Sequence, residues 1–270
     1  MTSARYDSKY FQIKDAAERR SAEVIVPLVL ALLEPHSVCD VGCSHGAWLA
    51  VFKIHGVGKV LGIDGEYVER EKLKIDPEEF LAADLEDGVP AADGFDLAVS
   101  LEVAEHLREQ AAAGFVEGLV ALAPAVLFSA AVPGQGGRGH ANEQWPEYWR
   151  ALFEQHGYVP IDCIRPSVWN LPDVNVWYRQ NAILFAHRSL VESRPRLREA
   201  YERSVDRPLS LVHPLILEAA LERPWKLFRE LIAEVEAGRL THEELEARMA
   251  RLLERFAERA RDRSVRPADA

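Results

Sequence analysis

Residues Ser37–Trp48, "SVCDVGCSHGAW", join a short apolar run to an acid, two glycines and the start of an apolar helix. A strand that ends in a tight glycine turn and feeds a helix is the frame of a nucleotide-type cofactor site. A dinucleotide site needs GxGxxG, because its second glycine lets the backbone approach the pyrophosphate. Here the turn runs Gly42-Cys43-Ser44-His45-Gly46, so a side chain stands at position 44. That spacing suits a cofactor without phosphates, and S-adenosylmethionine is the common one. Asp40 is placed to reach the amino group of its methionine part.

Outward from this turn, apolar runs alternate with helical stretches. Strands are expected at 37–41, 59–64, 80–84, 95–101, 125–132, 159–164 and 181–186, with helices at 47–56, 111–123 and 147–158. Such alternation predicts an α/β fold, a doubly wound and mainly parallel sheet with its ligand at the carboxyl ends of the strands. Residues 14–33 read as an amphipathic helix, kinked or divided at Pro27. The proline-broken stretch 165–181 reads as a loop. In it Trp169, Trp177 and Tyr178 either line an acceptor pocket or pack the loop down.

Two further acids follow in order. Asp64 closes the second expected strand about 20 residues beyond the turn, where a carboxylate can bind ribose hydroxyls. Asp84-Leu85 follows the third, where an acid can accept from an adenine amino group and Leu85 can pack on the ring.

With these residues in place, the chain resembles the class I S-adenosylmethionine-dependent methyltransferases. "VCDVGCSHG" is similar to their first motif, "GIDGE" to the second-strand acid, "AADLED" to the adenine motif and "FDLAVSLEVAEHL" to the fourth-strand motif. The resemblance covers roughly 36–187, and implies a seven-stranded Rossmann-like sheet whose last strand, "QNAILFA", is antiparallel. It implies a cofactor set of Asp40, Gly42, Cys43, Gly46, Asp64, Gly65, Asp84, Leu85 and Leu101. Ser44 is a departure, standing where the family usually has a further glycine.

In "SLEVAEHL", Glu102, Glu105 and His106 are spaced i, i+3, i+4 and would share one face of a helix. His140 follows a glycine-rich stretch. Two carboxylates and two imidazoles make a candidate site for Mg2+ or Mn2+. The set resembles that of metal-dependent 2′-O-methyltransferases of small-RNA 3′ ends. It equally resembles the "EVxEHL" segment of ubiquinone-biosynthesis-like methyltransferases. Without a metal, His106 or His140 is the natural general base.

The expected function is therefore O-methylation of a small molecule or glycan. The alternatives are a metal-dependent RNA 3′-end methyltransferase and a non-catalytic assembly protein that keeps the fold. A net charge of −11 over 270 residues argues against a nucleic-acid partner. Three cysteines without CxxC spacing, and the lack of any long uncharged apolar run, give the expectation of a cytoplasmic protein with no membrane segment.

Domain boundaries are expected as follows: an N-terminal helical lid segment at 1–35, a cofactor-binding domain at 36–188, a helical appendage at 189–262 and a disordered tail at 263–270. Tyr6, Tyr10 and Phe11 would belong to the lid. In the appendage, Gly238 closes one helix and Thr241–Glu244 caps the next, whose Leu245, Met249, Leu252, Leu253 and Phe256 share a face. That stripe is expected to pack on the same chain or to form a homodimer through the C-terminal helices.

Overall fold

The computed structural model describes residues 8–92, 94–251 and 254, with the side chains of 8–15 left undescribed. The chain divides into two units, Met1–Ile216 and Leu217–Ala270.

In the first unit the elements run α1 (Ser8–Leu33), β1 (Ser37–Val41), α2 (Ala47–Ile54), β2 (Lys59–Asp64), β3 (Phe80–Ala82) and β4 (Leu97–Leu101). They continue with α3 (Ala112–Leu122), β5 (Ala125–Ser129), α4 (Pro146–Glu154), β6 (Tyr158–Ile161), α5 (Ile164–Val168), α6 (Val176–Asn181) and β7 (Ile183–His187). Two short helices, α7 (Arg188–Ser193) and α8 (Pro195–Ser204), follow. The seven strands form one sheet in the order β3-β2-β1-β4-β5-β7-β6. β1 to β5 pair in parallel where they meet, whereas β7 is antiparallel to both β5 and β6. The strand order reverses between β1 and β4, which places a crevice at their carboxyl ends.

The strands are short and buried on both faces, which is why they read as apolar runs rather than alternating ones. Val38, Leu97, Val99 and Leu184 face one layer with α1 and α2; Cys39, Val41, Ala98 and Phe185 face the other with α3 and α4. The second layer holds stacked Phe153 and Phe185, their centroids 4.1 Å apart.

Three expectations are corrected. The helix α1 is not divided at Pro27 but is assigned as one helix from Ser8 to Leu33. Pro27 and Glu23 four residues earlier are both exposed, so the helix forgoes the Glu23 carbonyl's bond, for which proline has no N–H, on its solvent side. The stretch 165–181 is not a loop, since α5 and α6 occupy most of it. Residues 189–216, expected in the appendage, belong to the first unit: Val191 and Leu197 are buried in its core, and Arg194 Nη1 donates to the Leu33 carbonyl at 2.5 Å.

The second unit contains most of helix α9 (Pro214–Glu236) and a following helix at 242–251. Gly238 closes α9 at φ +68°, with its amide on the Val235 carbonyl and that of Arg239 on Glu234, both at 2.9 Å. The Thr241–Glu244 capping box forms reciprocally, Thr241 N to Glu244 Oε2 at 2.9 Å and Glu244 N to Thr241 Oγ1 at 3.2 Å. Tyr6, Leu252, Leu253, Phe256 and the tail 263–270 lie outside the described residues, as do the side chains of Tyr10 and Phe11. Among the described residues, no helix is long and apolar enough to cross a membrane.

Candidate active site

The turn after β1 is built by left-handed backbone. Gly42, Ser44 and Gly46 have φ of +87°, +50° and +77°. Ser44, the departure in the motif, therefore adopts the conformation that a glycine takes easily, and its amide donates to Asp64 Oδ2 at 2.7 Å. Gly42 is required for a second reason, because a Cβ there would lie 2.2 Å from Val103 Cγ2. Gly42→Ala should thus cost about 1–3 kcal/mol from backbone strain alone, plus the displacement of Val103. A chemical denaturation curve measures this, and a variant as stable as the wild type would contradict the turn geometry.

A cavity of about 450 Å³ opens beside this turn at the carboxyl ends of β1 and β4. Of the residues expected in the cofactor set, Asp40, Gly42, Cys43 and Leu101 line it. Glu102, Glu105, His106 and His140 line it as well, and Trp177 and Tyr178 stand on its α6 side. Sequence reasoning missed Glu18 of α1, Trp48 of α2, and Gln135 and Arg138 of the loop after β5, which also line it. They arrive from three separate elements, α1, α2 and the loop after β5, which only the folded chain brings together. Ser21 Oγ accepts from Asn175 N at 2.9 Å, tying α1 to the approach to α6 across the cavity wall.

The cavity is rich in carboxylates. Burial, then the charges of Asp64 and Glu18, push the Asp40 carboxyl well above the usual range, and its Oδ2 has no hydrogen-bond partner. A buried acid in that state favours a cationic ligand.

Beyond β4 the helix expected to align Glu102, Glu105 and His106 does not begin at Glu102. Glu102 sits at φ +57°, and only a 3-10 turn, Ala104–His106, follows. The Glu102 carboxylate instead accepts from Gln135 Nε2 at 2.8 Å and Asn181 Nδ2 at 2.9 Å. Burial raises its pKa, and those amide hydrogen bonds work against the rise. Among the described residues, Glu105, His106 and His140 each bring one ligand atom within 4.8 Å of the others. Glu102 stands outside that group. Three of the four expected metal ligands therefore converge without it.

Glu105 is 1% exposed, and neither carboxylate oxygen has a well-placed hydrogen-bond partner. Burial and the neighbouring Glu102 push its carboxyl well above the usual range, and the backbone amides of Glu105 and Ala131 work against the rise. The His106 and His140 rings meet edge to face, 4.9 Å between centroids. A buried carboxylate whose oxygens lack a well-aligned hydrogen bond, set beside two imidazoles, is a donor set that fits a divalent cation. Glu143 backs the cluster. Burial opposes its ionisation, but hydrogen bonds with His140 and from the Gly134 and Gly136 amides hold its carboxyl below the usual range.

The remaining expected residues do not line the cavity. Asp64 Oδ1 accepts from Gly65 N at 2.7 Å and from the Tyr67 hydroxyl, while Oδ2 has room for one donor besides Ser44 N. Gly46 starts α2 and donates to the Cys43 carbonyl at 2.8 Å. Asp84 Oδ1 accepts from Glu86 N at 3.0 Å, and Leu85 is buried in the α3 layer. Trp169 is placed elsewhere than expected. It packs on His213, 4.7 Å between centroids, and its carbonyl meets His213 Nε2 at 2.9 Å.

Among curated proteins, none matches the chain in sequence. Similar solved structures include the magnesium protoporphyrin IX methyltransferase of Synechocystis PCC 6803 with bound S-adenosylhomocysteine, at 18% identity and a TM-score of 0.44, covering 59% of this chain and 80% of that one. A methyltransferase of calicheamicin biosynthesis is 16% identical with a TM-score of 0.47, covering 66% of this chain and 56% of that one. The methyltransferase domain of a bacterial Hen1 protein is 19% identical with a TM-score of 0.44, covering 62% of this chain and 98% of that one. A family model described as "Methyltransferase domain" matches residues 13–162, more than half the chain. The chain therefore belongs to the methyltransferase-domain family, of the class I S-adenosylmethionine-dependent kind.

Proposed function

We propose that the protein methylates a hydroxyl oxygen of a small molecule or glycan, using S-adenosylmethionine and a divalent cation held by Glu105, His106 and His140. One observation carries this reading: a single cavity is lined by two buried carboxyl groups, Asp40 near the end of β1, whose Oδ2 has no partner, and Glu105 in the turn after β4, whose oxygens lack a well-aligned one. Each asks for a cation. The cofactor, when bound, supplies a methyl group on a sulfonium together with an ammonium. The metal ion, when bound, lowers the pKa of a hydroxyl at its side.

The chain's own residues do the rest. Asp40 takes the ammonium, and Asp64 takes a ribose hydroxyl through the free acceptor position on Oδ2. Asp84 and Leu85, which stand outside the lined cavity, are the residues for the adenine. Trp177 and Tyr178 wall the acceptor and hold it in line with the methyl group, where positioning supplies much of the rate. Two imidazoles with one carboxylate favour Mn2+ over the oxygen-seeking Mg2+. The acidic cavity and the net charge of −11 disfavour an RNA end as acceptor.

Calorimetry tests the reading without knowledge of the acceptor. The metal-stripped protein should bind both S-adenosylhomocysteine and Mn2+; absence of Mn2+ binding would remove the cation. Asp64→Ala should weaken S-adenosylhomocysteine about tenfold or more, since a hydrogen bond to a charged group is worth about 1.5–3 kcal/mol. Unchanged affinity would take Asp64 out of the site.

A further inference from the structure

The loop between β5 and α4 carries His140 into the cavity, and one side chain organises that loop. Glu143 Oε2 accepts from the Gly134 amide at 2.8 Å, and Oε1 accepts from the Gly136 amide at 2.6 Å. The same Oε1 meets His140 Nδ1 at 3.0 Å. The pair is well sheltered, with side chains 11% and 15% exposed. At the far end of the loop, the amides of Ala141 and Asn142 both donate to the Glu105 carbonyl, at 2.8 and 3.0 Å. The two elements that supply the cluster are therefore locked to each other by backbone, and His140 is aimed by Glu143.

An ionised carboxylate can only accept. Facing His140 Nδ1, it places the ring's proton there and leaves the lone pair on Nε2. The ring edge on that side lies over Gly137, where a Cβ would stand 2.0 Å from Nε2. Gly139 stands farther from the partner ring: its Cβ would lie 3.6 Å from His106 Nδ1, an ordinary contact distance. At Gly137, therefore, any side chain would collide with the His140 ring.

We propose that Glu143 is a positioning residue that fixes His140 in the Nδ1-protonated tautomer and thereby sets the cation affinity of the Glu105–His106–His140 cluster. The affinity part rests on the cation reading above; the tautomer part does not. Partners of this kind behind a ligating histidine typically change metal affinity by about 10–100-fold when removed. Glu143→Gln is the informative variant. Its amide nitrogen, turned to Nδ1, donates where the carboxylate accepted, and the proton moves to Nε2.

Two measurements test this. The first is the imidazole ¹⁵N spectrum of the cation-free wild-type protein above pH 8. The expected result is a protonated Nδ1 and a bare Nε2 for His140; a dominant Nε2–H form overturns the proposal. The second is Mn2+ calorimetry, where Glu143→Gln should weaken binding about 10–100-fold with S-adenosylhomocysteine affinity unchanged. Equal Mn2+ affinity in variant and wild type overturns the affinity part while leaving the cation reading intact. A wild-type protein that binds no Mn2+ overturns the cation reading itself. If the variant also loses S-adenosylhomocysteine binding, the wild-type spectrum alone decides.

Discussion

In protein stripped of divalent cations, Glu105→Gln is expected to raise the melting temperature, and on adding Mn2+ back to lower its affinity about a hundredfold or more. The two effects have one cause. Without a cation the Glu105 carboxylate is 1% exposed, next to the charge of Glu102 and without a well-placed partner. A neutral amide of the same shape removes a buried charge set beside that of Glu102. The pH dependence follows from the direction of its shift. A carboxyl whose folded-state pKa is raised contributes stability below the ordinary glutamate range and loses it as pH rises through the folded value. The stability gap between variant and wild type should therefore open with rising pH in chelator and close when Mn2+ is restored. A variant less stable than the cation-free wild type across that range would contradict the account.

Arg165→Met should cost about 3–5 kcal/mol of unfolding free energy, the largest stability loss expected from one substitution in the first unit. Arg165 is 1% exposed, and its Nε and Nη2 grip both oxygens of buried Asp162 at 2.9 and 2.7 Å. Its Nη1 donates to the carbonyls of Gln180 at 3.2 Å and Leu209 at 2.8 Å. One guanidinium thus joins the end of β6, the end of α6 and the segment near Leu209. Removing it leaves Asp162 charged and buried, which is costlier than removing the pair. The double variant Asp162→Leu/Arg165→Met should accordingly recover much of the loss in urea denaturation. A single-variant loss below about 1 kcal/mol, the range of exposed pairs, would sink this assignment.

These two residues also mark where the sequence is legible. Parallel strands buried on both faces are continuous apolar runs, so β1, β2, β4 and β5 stand out in one dimension. The Asp40–Gly46 turn is equally visible, because left-handed backbone and the closeness of Val103 demand glycine at Gly42. The helices α5 and α6 leave no periodic signal. They span only five and six residues, and tertiary ties hold them: the Arg165–Asp162 pair in one, and the Asn175 side chain accepting from Trp177 N in the other. Spacing proposed one helical face for Glu102, Glu105 and His106, but spacing presumes a backbone. The positive φ of Glu102 turns its carboxylate to Gln135 and Asn181, residues 33 and 79 positions away in the chain. His140 could be nominated from the glycines before it, whereas the role of Glu143 depends on a loop that folds back on itself.

The most direct test of the central claim is an anomalous difference map, at the manganese edge, from a crystal grown with S-adenosylhomocysteine and Mn2+. The account predicts S-adenosylhomocysteine beside the Asp40–Gly46 turn and one manganese peak in the same cavity, bonded to Glu105, His106 and His140 at about 2.0–2.2 Å. A map with the cofactor in place and no peak at those three residues would contradict it.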